Sequence, residues 1–296
     1  MSDEVGRVSA LWRFPVKSML GENLNEARLT ERGIVGDRAY ALVDEETGKV
    51  VSAKSVKLFP DLFMCTAAFA DTSAEGEDAA PVVITLPDGS TVRSDDPDCD
   101  EVLSRFFGRT VRLSTAAPEE FTIDQYHPDI EDADPHGYRD TVVEARLGAT
   151  FFKDIGAPPP VSESAFFDLF PVSVLTSSTL ERLGELSPES LFDARRFRMN
   201  VIVETEQPGF IENDWIGSAL SIEAGPQLRV AMPDPRCVMP TLAQGDDLPR
   251  DGDILRTIVR NNRLELADGA RYPCAGVYAV VESPGMLKRG ASVTLV

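Results

Sequence analysis

One cysteine in this chain stands in a setting suited to chemistry. Cys237 lies in Pro233-Asp234-Pro235-Arg236-Cys237-Val238-Met239-Pro240-Thr241. The prolines in this stretch exclude a helix interior and a central strand, so the spacing predicts a stiff loop. Arg236 beside the thiol favours its thiolate form electrostatically. The other reading of such a residue is a small apolar filler of the core. Cys65, in Leu62-Phe63-Met64-Cys65-Thr66-Ala67, fits that filler role, and Cys274, just before a predicted strand, reads the same way. Cys99 follows Asp95-Asp96-Pro97-Asp98, and neighbouring carboxylates raise a thiol pKa.

Three further segments set cations beside turn residues: Phe14-Pro15-Val16-Lys17-Ser18, Gly33-Ile34-Val35-Gly36-Asp37-Arg38 and Arg195-Arg196-Phe197-Arg198-Met199-Asn200. Arg and Lys next to small or polar residues suit the holding of a phosphate; the competing role is ordinary surface pairing with surplus acids. Gly33 to Gly36 has the spacing of neither a dinucleotide fingerprint nor a phosphate-binding Walker loop. Thr176-Ser177-Ser178 follows a predicted strand and opens a predicted helix. Its hydroxyls can cap that helix, and free N–H groups there could also meet an anion. His127 and His136 have no metal-ligand spacing and read as solvated.

The background makes local basic clusters stand out. The chain has 29 basic against 49 acidic side chains, a net charge of −20. Nucleic acid and anionic membranes both call for a basic face, so neither is an expected partner. No secretory leader opens the sequence and no apolar run approaches the roughly 20 residues of a membrane span. Four scattered cysteines fit free thiols in a reducing cytoplasm, and they form neither a zinc knuckle nor a four-cysteine iron–sulfur motif.

The elements that must carry these residues are mostly short strands. Val5 to Phe14, Leu24 to Leu29, Ala39 to Val43 and Val50 to Ala53 are β-like, and Pro87-Asp88-Gly89-Ser90 marks a hairpin between Val82 to Leu86 and Thr91 to Arg93. A helix over 101–107 stops at Gly108. Residues 118–136 carry seven acidic side chains and no Lys or Arg, so 116–163 reads as a long irregular connection. Beyond it come strands at Val172 to Leu175, Phe197 to Val203, Ala219 to Ile222, Leu228 to Ala231, Ala275 to Val281 and Gly290 to Val296, with helices at Ser177 to Leu186 and Ile254 to Val259. The expected class is α+β and β-rich: an N-terminal β-barrel part over 1–115, a connection over 116–163, and a second barrel with a few short helices over 164–296.

In combination these segments resemble MOSC proteins with a MOSC N-terminal β-barrel domain, the group that includes the mitochondrial amidoxime-reducing component and bacterial relatives. The resemblance rests on Phe14 to Ser18, Gly33 to Leu42, Val51-Ser52-Ala53-Lys54, Arg196 to Val201, Arg236-Cys237 and Gly276-Val277-Tyr278. It implies a molybdenum cofactor between the two parts, with Cys237 as metal ligand and catalytic centre. It further implies that Lys17, Ser18, Arg38, Thr176, Ser177, Arg198, Asn200 and Arg236 hold the molybdopterin. A soft thiolate suits molybdenum, and a phosphate suits the cations. The implied activity is reduction of small N-oxygenated substrates. With no flavin, haem or iron–sulfur motif, electrons would come from a separate donor protein. The other function open to such a chain is a carrier of cofactor or sulfur without turnover. Pro235 departs from the pattern, standing where the amidoxime reducers have a serine.

Overall fold

The computed structural model describes residues 3–71, 80–266 and 268–296. Its organising feature is a closed ring of seven strands. They are β1 (Asp3–Arg13), β2 (Val172–Thr176), β3 (Val201–Glu204), β4 (Ala219–Ile222), β5 (Gln227–Pro235), β6 (Arg271–Ser283) and β7 (Ser292–Leu295). The order around the ring is β2-β3-β1-β7-β4-β5-β6, and β6 returns to β2 through Val172↔Ala279 and Val174↔Val277. Closure removes free sheet edges. All neighbours are antiparallel except β2 and β3, whose parallel pairing needs a crossover. Helix-forming Ser177–Leu186 lies in that crossover. Val8, Leu11, Val174, Val203, Leu220, Val230, Val277 and Val293 fill the interior, β-branched residues prominent among them.

The expected β-rich fold is therefore present, with one unexpected connection. β1 opens the chain, yet it pairs Leu11↔Val201 with β3 and Glu4↔Thr294 with β7. The first strand belongs to the ring built by the C-terminal half. The rest of the N-terminal half packs short sheets around its own core of Met19, Leu42, Phe63, Ile84 and Leu103. These sheets include Thr66–Phe69, Val82–Thr85 and Thr91–Arg93 in antiparallel order, and Ala41–Asp44 against Val111–Ser114. The helix α1 (Cys99–Phe107) ends at Gly108 in the left-handed conformation, φ 65°, as glycine permits.

The structure departs from the sequence pattern in several places, among them the strand expected from Phe197, which starts only at Val201 after a 3-10 turn over Ala194–Phe197. First, 116–163 is not irregular throughout. Thr122–His127 and Thr141–Arg146 form a fully paired hairpin, followed by α2 (Gly148–Asp154). Phe121, Ile123 and Leu147 bury themselves against Ala41, Val43 and Phe166. The acidic side chains hid the strand because they can face water or a lysine, as Asp124 faces Lys49 at 2.6 Å. Second, Val50 to Ala53 is no strand beyond an isolated bridge of Val50 to Val43. Third, Pro233 and Pro235 lie inside β5, paired to Val277 and Cys274. By that point β5 has left β4, whose register ends at Arg229, so one side of the strand is open and a missing N–H costs nothing there. Cys237 follows this open edge directly.

The remaining helices are α3 (Ser177–Leu186) and α4 (Asp253–Asn261). Ile254, Leu255 and Ile258 of α4 are buried, the spacing that lays one helix face on a core. Among the described residues no helix is long and apolar enough to cross a membrane.

Candidate functional site

Cys237 stands between β5 and a 3-10 turn at Met239–Thr241. It is the one cysteine of four that is not buried, and all four are free. Burial pushes the Cys65 and Cys274 thiols up to about 12 and that of Cys99 to about 11, nearby aspartates adding to the last. Those three are held as neutral thiols. The turn after Cys237 is braced by Arg196, which is fully buried. Its guanidinium donates to the carbonyls of Leu191, Pro240, Leu242 and Pro249.

Beside the thiol lies a cluster of lysines. Lys54 Nζ sits 2.8 Å from Asp168 Oδ2 and close enough to Cys237 for their charges to interact. Lys17 pairs with the other oxygen of Asp168 and donates to the Phe166 carbonyl at 2.8 Å. Burial lowers the Lys17 pKa, a loss that Asp168 opposes. Burial alone would raise Asp168, but the two ammonium groups outweigh it and hold the carboxylate well below its usual range. On the same side, Asp234 is buried, accepts from Tyr278 and pairs with Arg236 at 2.6 Å. Burial raises its pKa to about 6.

The third part is an arginine pair on one aromatic ring. Arg38 and Arg198 place their guanidinium carbons 4.6 and 4.2 Å from the Phe14 centroid, within cation–π range. Arg38 donates to the Arg198 carbonyl at 3.2 Å, and Asp37 pairs with Arg38. Burial lowers the Arg198 pKa, and the Arg38 charge lowers it further. That charge also reaches Lys17. Lys17, Lys54, Arg38, Arg198 and Arg236 thus face Asp37, Asp168 and Asp234, leaving cations in excess within a chain of charge −20.

The backbone singles out the same residues. Ser18, Arg38 and Arg198 have φ of 65°, 49° and 55°, three of seven non-glycine residues in the left-handed region among the described residues. Each such conformation costs about 1 kcal/mol or more, and such strain concentrates at ligand sites.

Two family profiles match: the MOSC N-terminal beta barrel domain over residues 5–112 and the MOSC domain over 162–294. The chain belongs to the MOSC family. Its relatives include human mitochondrial amidoxime-reducing component 1, 22% identical over 99% of this chain and 83% of that protein. Bovine mitochondrial amidoxime reducing component 2 is 24% identical over 98% and 83%. Among solved structures, the YUAD protein of Bacillus subtilis matches with a TM-score of 0.44 and 11% identity, covering 100% of this chain and 98% of that one.

In this MOSC protein the residues singled out from sequence divide into two groups. Lys17, Ser18, Arg38, Arg198 and Cys237 come together from four separate segments. Thr176, Ser177, Asn200 and Arg236 instead have hydrogen bonds inside the protein. Thr176 Oγ1 donates to the buried Glu212 at 2.6 Å and accepts from Thr179 N, while Ser177 Oγ accepts from Thr205 N at 3.1 Å. The Asn200 carboxamide accepts from Ser173 N and Oγ and donates to Asp37 and the Trp12 carbonyl. Arg236 donates to the carbonyls of Ala275 and Phe197. Lys54, which was not singled out from sequence, is the cation whose charge interacts with Cys237. Sequence reading missed Lys54, Asp168, Asp234 and Tyr278 as site residues. Scarcity was the available signal: a chain with only six lysines buries two of them on one carboxylate.

Proposed function

We propose that this MOSC protein holds a molybdenum cofactor with Cys237 as the thiolate ligand, and that it is an oxidoreductase reducing N-hydroxylated small molecules. The observation that carries this reading is the convergence of buried cations, exceeding their carboxylates, around the one thiol that is not buried. A pterin phosphate needs Lys and Arg donors, and a soft metal needs the sulfur, so the donor set fits the group.

Within this reading Lys17, Ser18, Lys54, Arg38 and Arg198 hold the pterin and its phosphate. Arg236, Asn200, Thr176 and Ser177 act one step back, fixing the strand ends that carry those donors. Residues 1–115 and 164–296 supply opposite walls and 116–163 joins them, with β1 as the exception. Bound metal would supply redox cycling between oxidation states; the chain's own residues bind, orient and neutralise charge. Electrons would come from a separate donor protein. The free thiols suit a reducing compartment such as the cytoplasm.

The test is expression in a host that makes molybdopterin, followed by metal analysis and assay of N-hydroxy compound reduction with a chemical reductant. Stoichiometric molybdenum with turnover is the expected result. Molybdenum without turnover would make the protein a carrier, and absence of molybdenum from protein made in a competent host would overturn the reading.

A further inference from the structure

The acidic connection contains both histidines of the chain, and both take part in fastening it down. His127 ends the strand Thr122–His127, and residues 128–140 continue from it as a strap. His127 Nδ1 lies 3.3 Å from Asp134 Oδ2, with side-chain exposures of only 11% and 13%. The other Asp134 oxygen accepts from the backbone N–H of His136 and Tyr138 at 2.9 and 3.3 Å. The Tyr138 ring packs between the two imidazoles, 5.3 Å from His127 and 6.3 Å from His136. His136 Nε2 is 3.4 Å from the Tyr272 hydroxyl, which donates to Asp268. Farther along, Ile130 packs on Leu255 and Val259 of α4, and Asp132 pairs with Arg263 at 3.0 Å.

We propose that His127 is a pH-operated clasp that holds the strap 128–140 against β6 and α4 while its ring is neutral and releases it on protonation. The groups facing the ring set the direction. Asp134 favours a charged His127. Lys54, from the loop beneath, and His136 oppose it, as does the loss of hydration in a half-buried position. The uncharged Gln125 amide and the Tyr138 ring also lie beside it. The opposing influences, burial first, leave the His127 pKa lowered. A lowered folded value means that the released strap takes up the proton more readily than the docked one. Docking is therefore full above the ordinary histidine range and is lost as pH falls through the folded value.

The strap is rooted at the candidate site, because Tyr126 N donates to the Lys54 carbonyl at 2.9 Å. The clasp itself does not depend on the cofactor assignment. The experiment is hydrogen exchange with mass spectrometry on the whole chain from pH 8 to 5, corrected for intrinsic exchange. It runs beside an NMR titration of the two histidine rings. Opening of peptides within 128–140 should increase by up to about tenfold per pH unit as pH falls from the ordinary histidine range to the His127 midpoint, and level off below it. Peptides of the seven-stranded ring should stay unchanged. In His127→Gln the strap should lose this pH dependence, and in His136→Gln it should keep it. Pairing Asp134→Asn with the NMR midpoint guards against a variant that does not fold, since it should move that midpoint, and with it the plateau of opening, to lower pH. Flat exchange in the wild type, or the same slope in His127→Gln, would overturn the proposal.

Discussion

At the scale of single residues, the cysteines separate on burial rather than on sequence neighbourhood. Three are enclosed and held as neutral thiols, while Cys237 is partly open. Native protein treated with iodoacetamide should therefore be alkylated at Cys237 alone, read by peptide mass spectrometry. Cys237→Ala should change unfolding free energy by less than about 0.5 kcal/mol, whereas Cys65→Ala or Cys274→Ala should cost about 1 kcal/mol through the lost buried sulfur. Modification of Cys65 or Cys274 at a comparable rate would contradict this. Asp168 makes a second case. Removing its charge by Asp168→Asn leaves Lys17 and Lys54, both buried, without a counter-charge. The cost should be about 3 kcal/mol, the low end for unpairing a buried charge, since Asp168 itself is 31% exposed. Its depressed pKa fixes the sign: the stabilisation is complete above the ordinary carboxylate range and fades only as pH falls below it. Denaturant unfolding of wild type and Asp168→Asn at pH 7 and pH 3 checks both statements, and a gap that widens toward pH 3 would refute the second.

At the scale of elements, local pattern was a good guide where one face met one core. Alternation and branching marked Ala219–Ile222 and the centre of β6, and Gly108 marked the stop of α1. Charge defeated the pattern at Thr122–His127, where acids outside and Ile123 inside looked like loop. Prolines defeated it at β5, because whether a strand has a neighbour on its second side is a fact of the ring and not of the local residues. The same distinction explains the site. Lys17, Arg38 and Arg198 were legible from residue type and turn context; Lys54 and Asp168 were not, since each acquires meaning only from the other across the fold. Gly276 shows how tightly β6 is fitted. It has φ 81°, and a Cβ there would stand 2.7 Å from the Val174 carbonyl and overlap Met199. Gly276→Ala should destabilise by about 3 kcal/mol, from backbone strain together with overpacking. A thermal midpoint within a degree or so of wild type would show that the strand can shift to accept it.

For the molecule as a whole, the two halves are joined by more than a chain connection. β1 fills the place between β3 and β7, so the C-terminal half alone has a gap in its ring. A fragment of residues 164–296 should expose the edges of Val201–Glu204 and Ser292–Leu295 and fail to unfold cooperatively when heated. Fusing residues 3–13 to it through a flexible linker should restore a melting transition. A cooperative melt of the fragment by itself would show that six strands suffice.

That shared strand also dictates an order of events during synthesis. β1 is the first strand of the ring to be made, and the partner on one of its sides, β7, is the last. Until then Val8 and Leu11, which end fully enclosed, have no lasting shelter. Ring closure waits for its last strand and joins distant parts of the chain, so it should be slow for a ring of this size and dependent on holding the first strand out of aggregation.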